Sequence, residues 1–197
     1  MAGVNSDGEA RALAAVQATG VPYRVLRHGP VRSLTEAATA RGVQPCDVVK
    51  TLVVRRGEDD YVLVLVPGDR QLHWPRLRAV LGVSRASMPD AAEAFAATGY
   101  ERGTITPFGT ARAWPVVADE RLAGRLITLG AGAHGVALAV DADAALAALQ
   151  ATVADVTEPA AGTTAMPAWP AMTSAAATTT IRQAAAHPGV AQPANNR

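Results

Sequence analysis

Lys50 stands inside "CDVVKTLVV" (46–54), a run made largely of apolar and β-branched residues. It is the only lysine in the chain; 17 of the 18 basic residues are arginine. In a sequence so rich in Ala and Arg, arginine stands wherever either cation would serve. The surviving lysine therefore points to a role that arginine cannot fill. If 47–54 is a strand, Val48, Lys50, Leu52 and Val54 share one face and Val49, Thr51 and Val53 share the other. The ammonium is then directed at a packed layer, and burying it without a partner is expensive. An acidic neighbour, a cavity open to water or an anionic ligand must offset that cost. Lysine also suits catalysis, because burial lowers its pKa toward neutrality whereas arginine keeps its proton. The structural alternative is a lysine at a strand end whose head reaches solvent.

The elements that would position this lysine follow from local signals. "GEARALAAVQATG" (8–20) reads as a helix closed by Gly20, and "VPYRVLRH" (21–28) as a strand. "SLTEAATARG" (33–42) opens with a capping box, in which Ser33 accepts from the backbone of Glu36 and Glu36 reaches back to Ser33, and Gly42 ends the helix. "DVVKTLVVRRGEDDYVLVLVPGD" (47–69) reads as a hairpin around "GEDD"; both runs are apolar on both faces, so the hairpin is expected to be central and covered. Short helices are expected at 74–82 and 87–99, a loop at 101–114, and strands at 114–119, 125–130 and 136–140. A helix over 141–150 with Asp141 as N-cap and a strand at 152–156 complete the set. Helices and strands are interspersed without a strict βαβ rhythm, which predicts an α+β fold with a mixed sheet.

The chain has 197 residues, enough for one domain with a sizeable core. Net charge is +1, which argues against general electrostatic capture of nucleic acid. Arg55, Arg56, Arg70, Arg76 and Arg78 are either a phosphate-facing patch or scattered solvated side chains. One cysteine, Cys46, excludes an internal disulfide. No signal peptide or stretch of 18 apolar residues is seen, so a soluble cytoplasmic protein is expected. From Glu158 onward Ala, Thr and Pro dominate, and 158–197 is expected to be a disordered tail behind a domain spanning 1–157.

Three segments, "DVVKTLVV", "GTITPFG" (103–109) and "GAGAHG" (130–135), occur in that order, with "RHGPVRSLTEAATARGV" ahead of them. Together they resemble the YbaK/prolyl-tRNA-synthetase-associated deacylase family across about 8–157. The resemblance implies a mixed, partly barrel-like β-sheet with flanking helices, and hydrolysis of mischarged aminoacyl-tRNA carrying a small acyl group such as Ala, Ser or Cys. The expected partners are the 3′ acceptor end of the tRNA and a prolyl-tRNA synthetase. It places the essential side chain at Lys50 and the GxxxP loop at Gly103, Thr104, Ile105, Thr106 and Pro107, continuing through Phe108 to Gly109. The glycine-rich turn falls on Gly130, Gly132 and Gly135. Thr51, Ile105, Phe108, His28 and His134 are the expected substrate contacts, and Lys50, Gly103, Thr106, Pro107 and Gly109 the expected catalytic set. The chain departs from the pattern of cysteinyl-tRNA deacylases at Leu26, Gly130 and Ala137, where Tyr, Ser and Asp are usual.

Ester hydrolysis needs a placed water, stabilisation of the oxyanion and protonation of the leaving hydroxyl. A Gly- and Pro-bearing loop can present backbone groups rigidly to the acyl moiety. Lys50 would either grip a phosphate or the ester carbonyl as a cation, or act as a general base. A non-catalytic module that binds an aminoacyl end beside a synthetase is the alternative function. No metal or cofactor is expected, since His28, His73, His134 and His187 lack ligand spacing. Cys46 would need a base such as His28 to act as a nucleophile. Trp74 and Trp114 could stack on a terminal adenine or simply pack. "GAGAHG" matches GxGxxG by letter, but a strand rather than a helix follows it.

Overall fold

The computed structural model describes residues 3–160, with side chains from Asp7 onward. Its elements are α1 (Gly3–Thr19), β1 (Tyr23–Arg27), α2 (Leu34–Arg41), β2 (Val49–Gly57), β3 (Asp60–Pro67), β4 (Arg70–Leu72), α3 (Trp74–Leu81), α4 (Ala91–Thr98), β5 (Val116–Asp119), β6 (Leu126–Gly130), β7 (Val136–Asp141), α5 (Ala142–Ala148), β8 (Thr152–Ala154) and β9 (Thr157–Pro159). Short 3₁₀ turns precede β2 at Pro45–Asp47 and follow β5 at Glu120–Leu122. The result is α+β with mixed pairing, as the interspersed signals predict.

β3 explains the architecture. Its side chains alternate between two cores, so a continuous apolar run is required. Tyr61, Leu63 and Leu65 enter a core shared with β5, β6, β7, α4 and α5. Val62, Val64 and Val66 enter a second core with Leu72, Leu77 of α3 and Val156. The four-stranded sheet runs β2-β3-β5-β8, antiparallel at β2/β3 and parallel at the other two pairs. β1, β7 and β6 form an antiparallel three-stranded sheet, and β4 pairs with β9. The two larger sheets touch where Val48 bridges Thr128.

Several boundaries differ from the sequence expectation. β2 is not central: it is the outer strand of its sheet, paired along its length with β3, and its other edge is bridged among the described residues at Val48–Thr128 and Arg55–Ser87. Its run is apolar on both faces because Val49 and Val53 pack in the first core and Val54, with Leu52, in the second, while its unpaired edge borders the cleft described below. The helix expected at 87–99 begins at Ala91, because Ser87 is committed to its bridge and Asp90 caps the helix by accepting from Glu93 N. The capping box of α2 is shifted: Ser33 Oγ accepts from Glu36 N at 3.1 Å, but the Glu36 carboxylate accepts from Arg32 N at 2.7 Å rather than from Ser33. The strand expected at 152–156 ends at Ala154, and a further strand, β9, follows from Thr157, so that Glu158 and Pro159, assigned to the tail, belong to β9. The rest of the expected tail, 161–197, lies outside the described residues. Among the described residues no helix is long and apolar enough to cross a membrane.

Candidate active site

A cleft of about 860 Å³ opens along the free edge of β2. Its walls are the segment from His28 to Leu34 with one face of α2, the start of α4, the Gly103–Ile105 loop and the turn between β6 and β7. Arg55 exchanges both backbone hydrogen bonds with Ser87, at 2.8 and 3.1 Å, so its N–H and C=O face away from β3. Antiparallel alternation then directs the backbone groups of Thr51 and Val53 to the same edge, facing the cleft. Thr51 is also buried, and its Oγ1 has no hydrogen-bond partner among the described residues.

Lys50 lies half-buried on this edge. Its Nζ donates to Gly68 O at 3.1 Å and to Arg70 O. Two carbonyls of the β3–β4 turn thus hold the ammonium. Burial lowers the Lys50 pKa below its ordinary value, and the nearby Asp69 carboxylate acts against that fall. Among the described residues Lys50 forms no ion pair. The turn passes too close to its neighbours to admit a side chain at Gly68. A Cβ there would lie 2.2 Å from Pro45 O and 2.8 Å from both Leu34 methyls.

A second half-buried cation, Arg41, faces the same cleft from the end of α2. Its guanidinium donates to His28 Nε2 at 3.3 Å and Thr128 Oγ1 at 3.4 Å, with no carboxylate partner among the described residues. Desolvation lowers its pKa. His28 Nδ1 meets Gly29 O at 2.8 Å, so this pairing assigns the ring proton to Nδ1 and leaves Nε2 as acceptor. His134 is exposed and pairs with Glu101 at 3.2 Å across the cleft mouth.

The Gly103–Ile105 loop and the β6–β7 turn meet backbone to backbone. Gly132 N donates to Thr104 O at 3.0 Å, and a Cβ on Gly130 would stand 2.7 Å from Ile105 O and 2.8 Å from Thr104 O. The serine usual at position 130 could not enter without moving that loop. Gly135, at φ +75°, receives the His28 N–H at 2.8 Å and so carries His28 into the cleft wall.

The structure brings together Lys50, Thr51, His28, Gly103, Ile105, Gly130, His134 and Gly135 around the cleft. Thr106, Pro107, Phe108, Gly109 and Gly132 do not line it. Thr106, Pro107 and Phe108 are buried, and Tyr100 Oη donates to Phe108 O and Gly109 O, both at 2.8 Å. Arg11 of α1 stacks 4.5 Å over the Tyr100 ring and donates to Gly99 O and Gly109 O. Gly132 packs against Gly8 of α1. These residues are the frame of the loop rather than its presenting face.

Other sequence alternatives resolve structurally. Of the suggested arginine patch, Arg55 pairs with Glu93, Arg56 with Asp60 and Arg76 with Asp155, while Arg70 bonds Thr157. These four guanidiniums are bonded within the protein, and Arg78 of α3 makes no ion pair among the described residues, so the five do not form one set of free cations. Cys46 lies outside the cleft; its Sγ takes a hydrogen bond from Arg125 Nη2 at 2.8 Å, and burial, the largest influence, pushes the thiol pKa up. A raised thiol pKa disfavours the thiolate, and Cys46 stands apart from the residues that line the cleft. Trp114 packs edge-on to Tyr61 at 5.1 Å with Nε1 bonded to Ala97 O, and Trp74 packs on the second core. Among the described residues no cluster of three or more His, Cys, Asp or Glu could hold a metal. Sequence reasoning missed Arg41. A basic residue in a last helical turn is ordinary capping chemistry, so only its place across from Lys50 marks it.

Comparison with known proteins places the chain in a family. Residues 28–147 match the model of the aminoacyl-tRNA editing domain. A proline–tRNA ligase of Thermosipho melanesiensis is 37% identical over 98 residues, 49% of this chain but 17% of the ligase. The chain thus spans about a sixth of the length of that relative. A candidate Cys-tRNA(Pro)/Cys-tRNA(Cys) deacylase of Enterococcus faecalis, EbsC, is 26% identical over 126 residues, covering 64% of this chain and 77% of that protein. The crystal structure of a candidate trans-editing enzyme for prolyl-tRNA synthetase superposes with a TM-score of 0.71 at 27% identity, over 77% of this chain and 97% of that one. The segment that matches the editing-domain model runs from the His28 wall through Lys50, the Gly103–Ile105 loop and the β6–β7 turn, and the chain belongs to the aminoacyl-tRNA editing domain family.

Proposed function

We propose that this protein hydrolyses the ester of mischarged aminoacyl-tRNA, acting in trans to a synthetase, with a small acyl group such as alanyl, seryl or cysteinyl on tRNA-Pro or a related tRNA. The observation that carries the reading is the pair of half-buried cations, Lys50 and Arg41, lining one cleft, neither of them in an ion pair among the described residues. Such a pair favours an anionic ligand, and the terminal phosphate of an acceptor strand supplies one.

In this reading Lys50 acts as a cation on the phosphate or the ester carbonyl, where negative charge develops as water attacks. Backbone groups of Gly103 and Ile105 and the free edge at Thr51 and Val53 hold the acyl group, and the partnerless Thr51 Oγ1 takes one of its polar atoms. His28 and His134 bound the ribose side. Val49, Val53, Ala94, Ala133 and Val136 leave an apolar wall that selects by exclusion, which discriminates small acyl groups modestly. Among the described cleft residues there is no cysteine, Ser33 is occupied as a helix cap, and Thr51 Oγ1 has no base within hydrogen-bond reach to activate it, so attack is assigned to water, assisted by a substrate hydroxyl or thiol.

The test is deacylation of alanyl-, seryl- and cysteinyl-tRNA(Pro) and their correctly paired counterparts by wild type and Lys50→Ala. Lysine-dependent turnover of at least one mischarged species is expected. Folded protein that turns over none, or a Lys50→Ala variant as active as wild type, refutes the assignment and favours a binding module.

A further inference from the structure

Asp69 belongs to no interaction that explains it. It sits in the tight connection between β3 and β4, and its Oδ1 is buried without a hydrogen-bond partner among the described residues. A buried carboxylate oxygen in that state is costly unless a positive charge lies close. The two residues flanking it, Gly68 and Arg70, are those whose carbonyls hold the Lys50 ammonium. The connection is tethered on both sides of Asp69: Gly68 leaves no room for a Cβ beside Pro45 and Leu34, Ala160 N donates to Asp69 O at 3.1 Å, and the Arg70 guanidinium bonds Thr157.

We propose that Asp69 is a positioning residue for Lys50: its carboxylate, fixed in the turn that supplies both carbonyl acceptors, keeps the lysine a cation in the cleft. Two opposing influences act on Lys50. Burial favours loss of its proton, and Asp69 opposes that loss. The other charged or titratable groups around this turn are already committed. Arg125 is paired with Asp47 and Cys46, the Arg70 guanidinium faces Thr157, and Arg41 lies across the cleft on His28. None of these opposes deprotonation of Lys50, so Asp69 is the group that does. A lysine kept cationic binds phosphate or polarises an ester carbonyl; it does not serve as a general base. The inference rests on Lys50 being the working cation of the proposed function, but its test does not depend on turnover.

Because the chain has one lysine, protein labelled with ¹³C-lysine gives a single Cε resonance that titrates with the Lys50 ammonium. Wild type, Asp69→Asn and Asp69→Glu are titrated from neutral to alkaline pH. Asp69→Asn is expected to lower the Lys50 midpoint by about one unit, the low end for loss of an opposite charge. Asp69→Glu should restore it. An Asp69→Asn midpoint within about 0.2 units of wild type, a small fraction of that expected shift, overturns the proposal. If Asp69→Asn does not fold, Asp69→Ser takes its place, with the same downward shift of the Lys50 midpoint expected and an unmoved midpoint overturning the idea. In deacylation the alkaline limb of the rate profile should move down with the midpoint. A shifted midpoint with no turnover of any mischarged tRNA would instead reject the proposed function and leave this coupling standing.

Discussion

Thr157→Val tests whether the carboxy-terminal strand holds the Lys50 seat. Thr157 Oγ1 accepts from Arg70 Nε and donates to Asp119 Oδ2 at 2.7 Å. Asp119 is fully buried and also takes Val156 N at 3.2 Å, Arg121 N at 3.1 Å and Arg121 Nη1 at 3.2 Å. Valine fills the same volume, so the change removes hydrogen bonds without opening a cavity. Each lost bond has a charged partner, worth about 1.5–3 kcal/mol. The gained methyl returns about 0.8 kcal/mol. The expected net loss is about 2–5 kcal/mol, a large part of a typical domain stability of about 5–15 kcal/mol. Thr157→Ser keeps both bonds and should lose only about 1 kcal/mol, for one methyl. Urea unfolding of the three proteins measures this, with m unchanged and the midpoint displaced. Since Arg70 O is one of the two acceptors of Lys50, folded Thr157→Val should also lose lysine-dependent deacylation. A valine variant as stable as the serine variant would refute the argument that this buried network ties β9 to β4.

Other outcomes follow from the same geometry. Gly130→Ala places a Cβ against two backbone oxygens of the 103–105 loop and should cost about 1–3 kcal/mol together with turnover. Gly29→Ala, with nothing within 4 Å, should stay within about 0.5 kcal/mol. Thermal or urea midpoints of the two variants separate these cases. The lowered Lys50 pKa fixes a sign for stability against pH. Between the folded pKa and the ordinary value of about 10.4 the unfolded chain binds more protons, so this group's contribution improves as pH rises through that window. Tyr61 and Tyr100, whose pKa values are raised, act in the opposite direction there. The comparison is therefore made as wild type minus Lys50→Met. That difference in urea midpoint should grow in favour of wild type with rising pH, and a constant difference would contradict burial of the ammonium.

How far the site could be read from the sequence depends on which partner each residue needs. Lys50 was legible because its cost is local: a cation in an apolar alternating run demands an explanation before any fold is known. Helix ends at Gly42, Gly82 and Gly99 were legible for the same reason, since a left-handed cap is written in one residue. What failed depended on distant pairing. A run apolar on both faces fits a central strand or an outer strand lying between two cores, and only the sheet order distinguishes them for β2. The 103–109 loop split into a presenting half and a buried half because Tyr100 and Arg11, far apart in sequence, converge on Gly109. The boundary at Glu158 failed because a three-residue strand carries almost no periodic signal. What holds it is Asp119, 38 residues upstream of Thr157. The tail-like composition begins at the residue after Thr157, so composition marked the place while the buried carboxylate decides the structure. The same chain of contacts, from Asp119 through Thr157 and Arg70 to the carbonyl that receives Lys50, makes β9 part of the support of the site, although none of its residues lines the cleft.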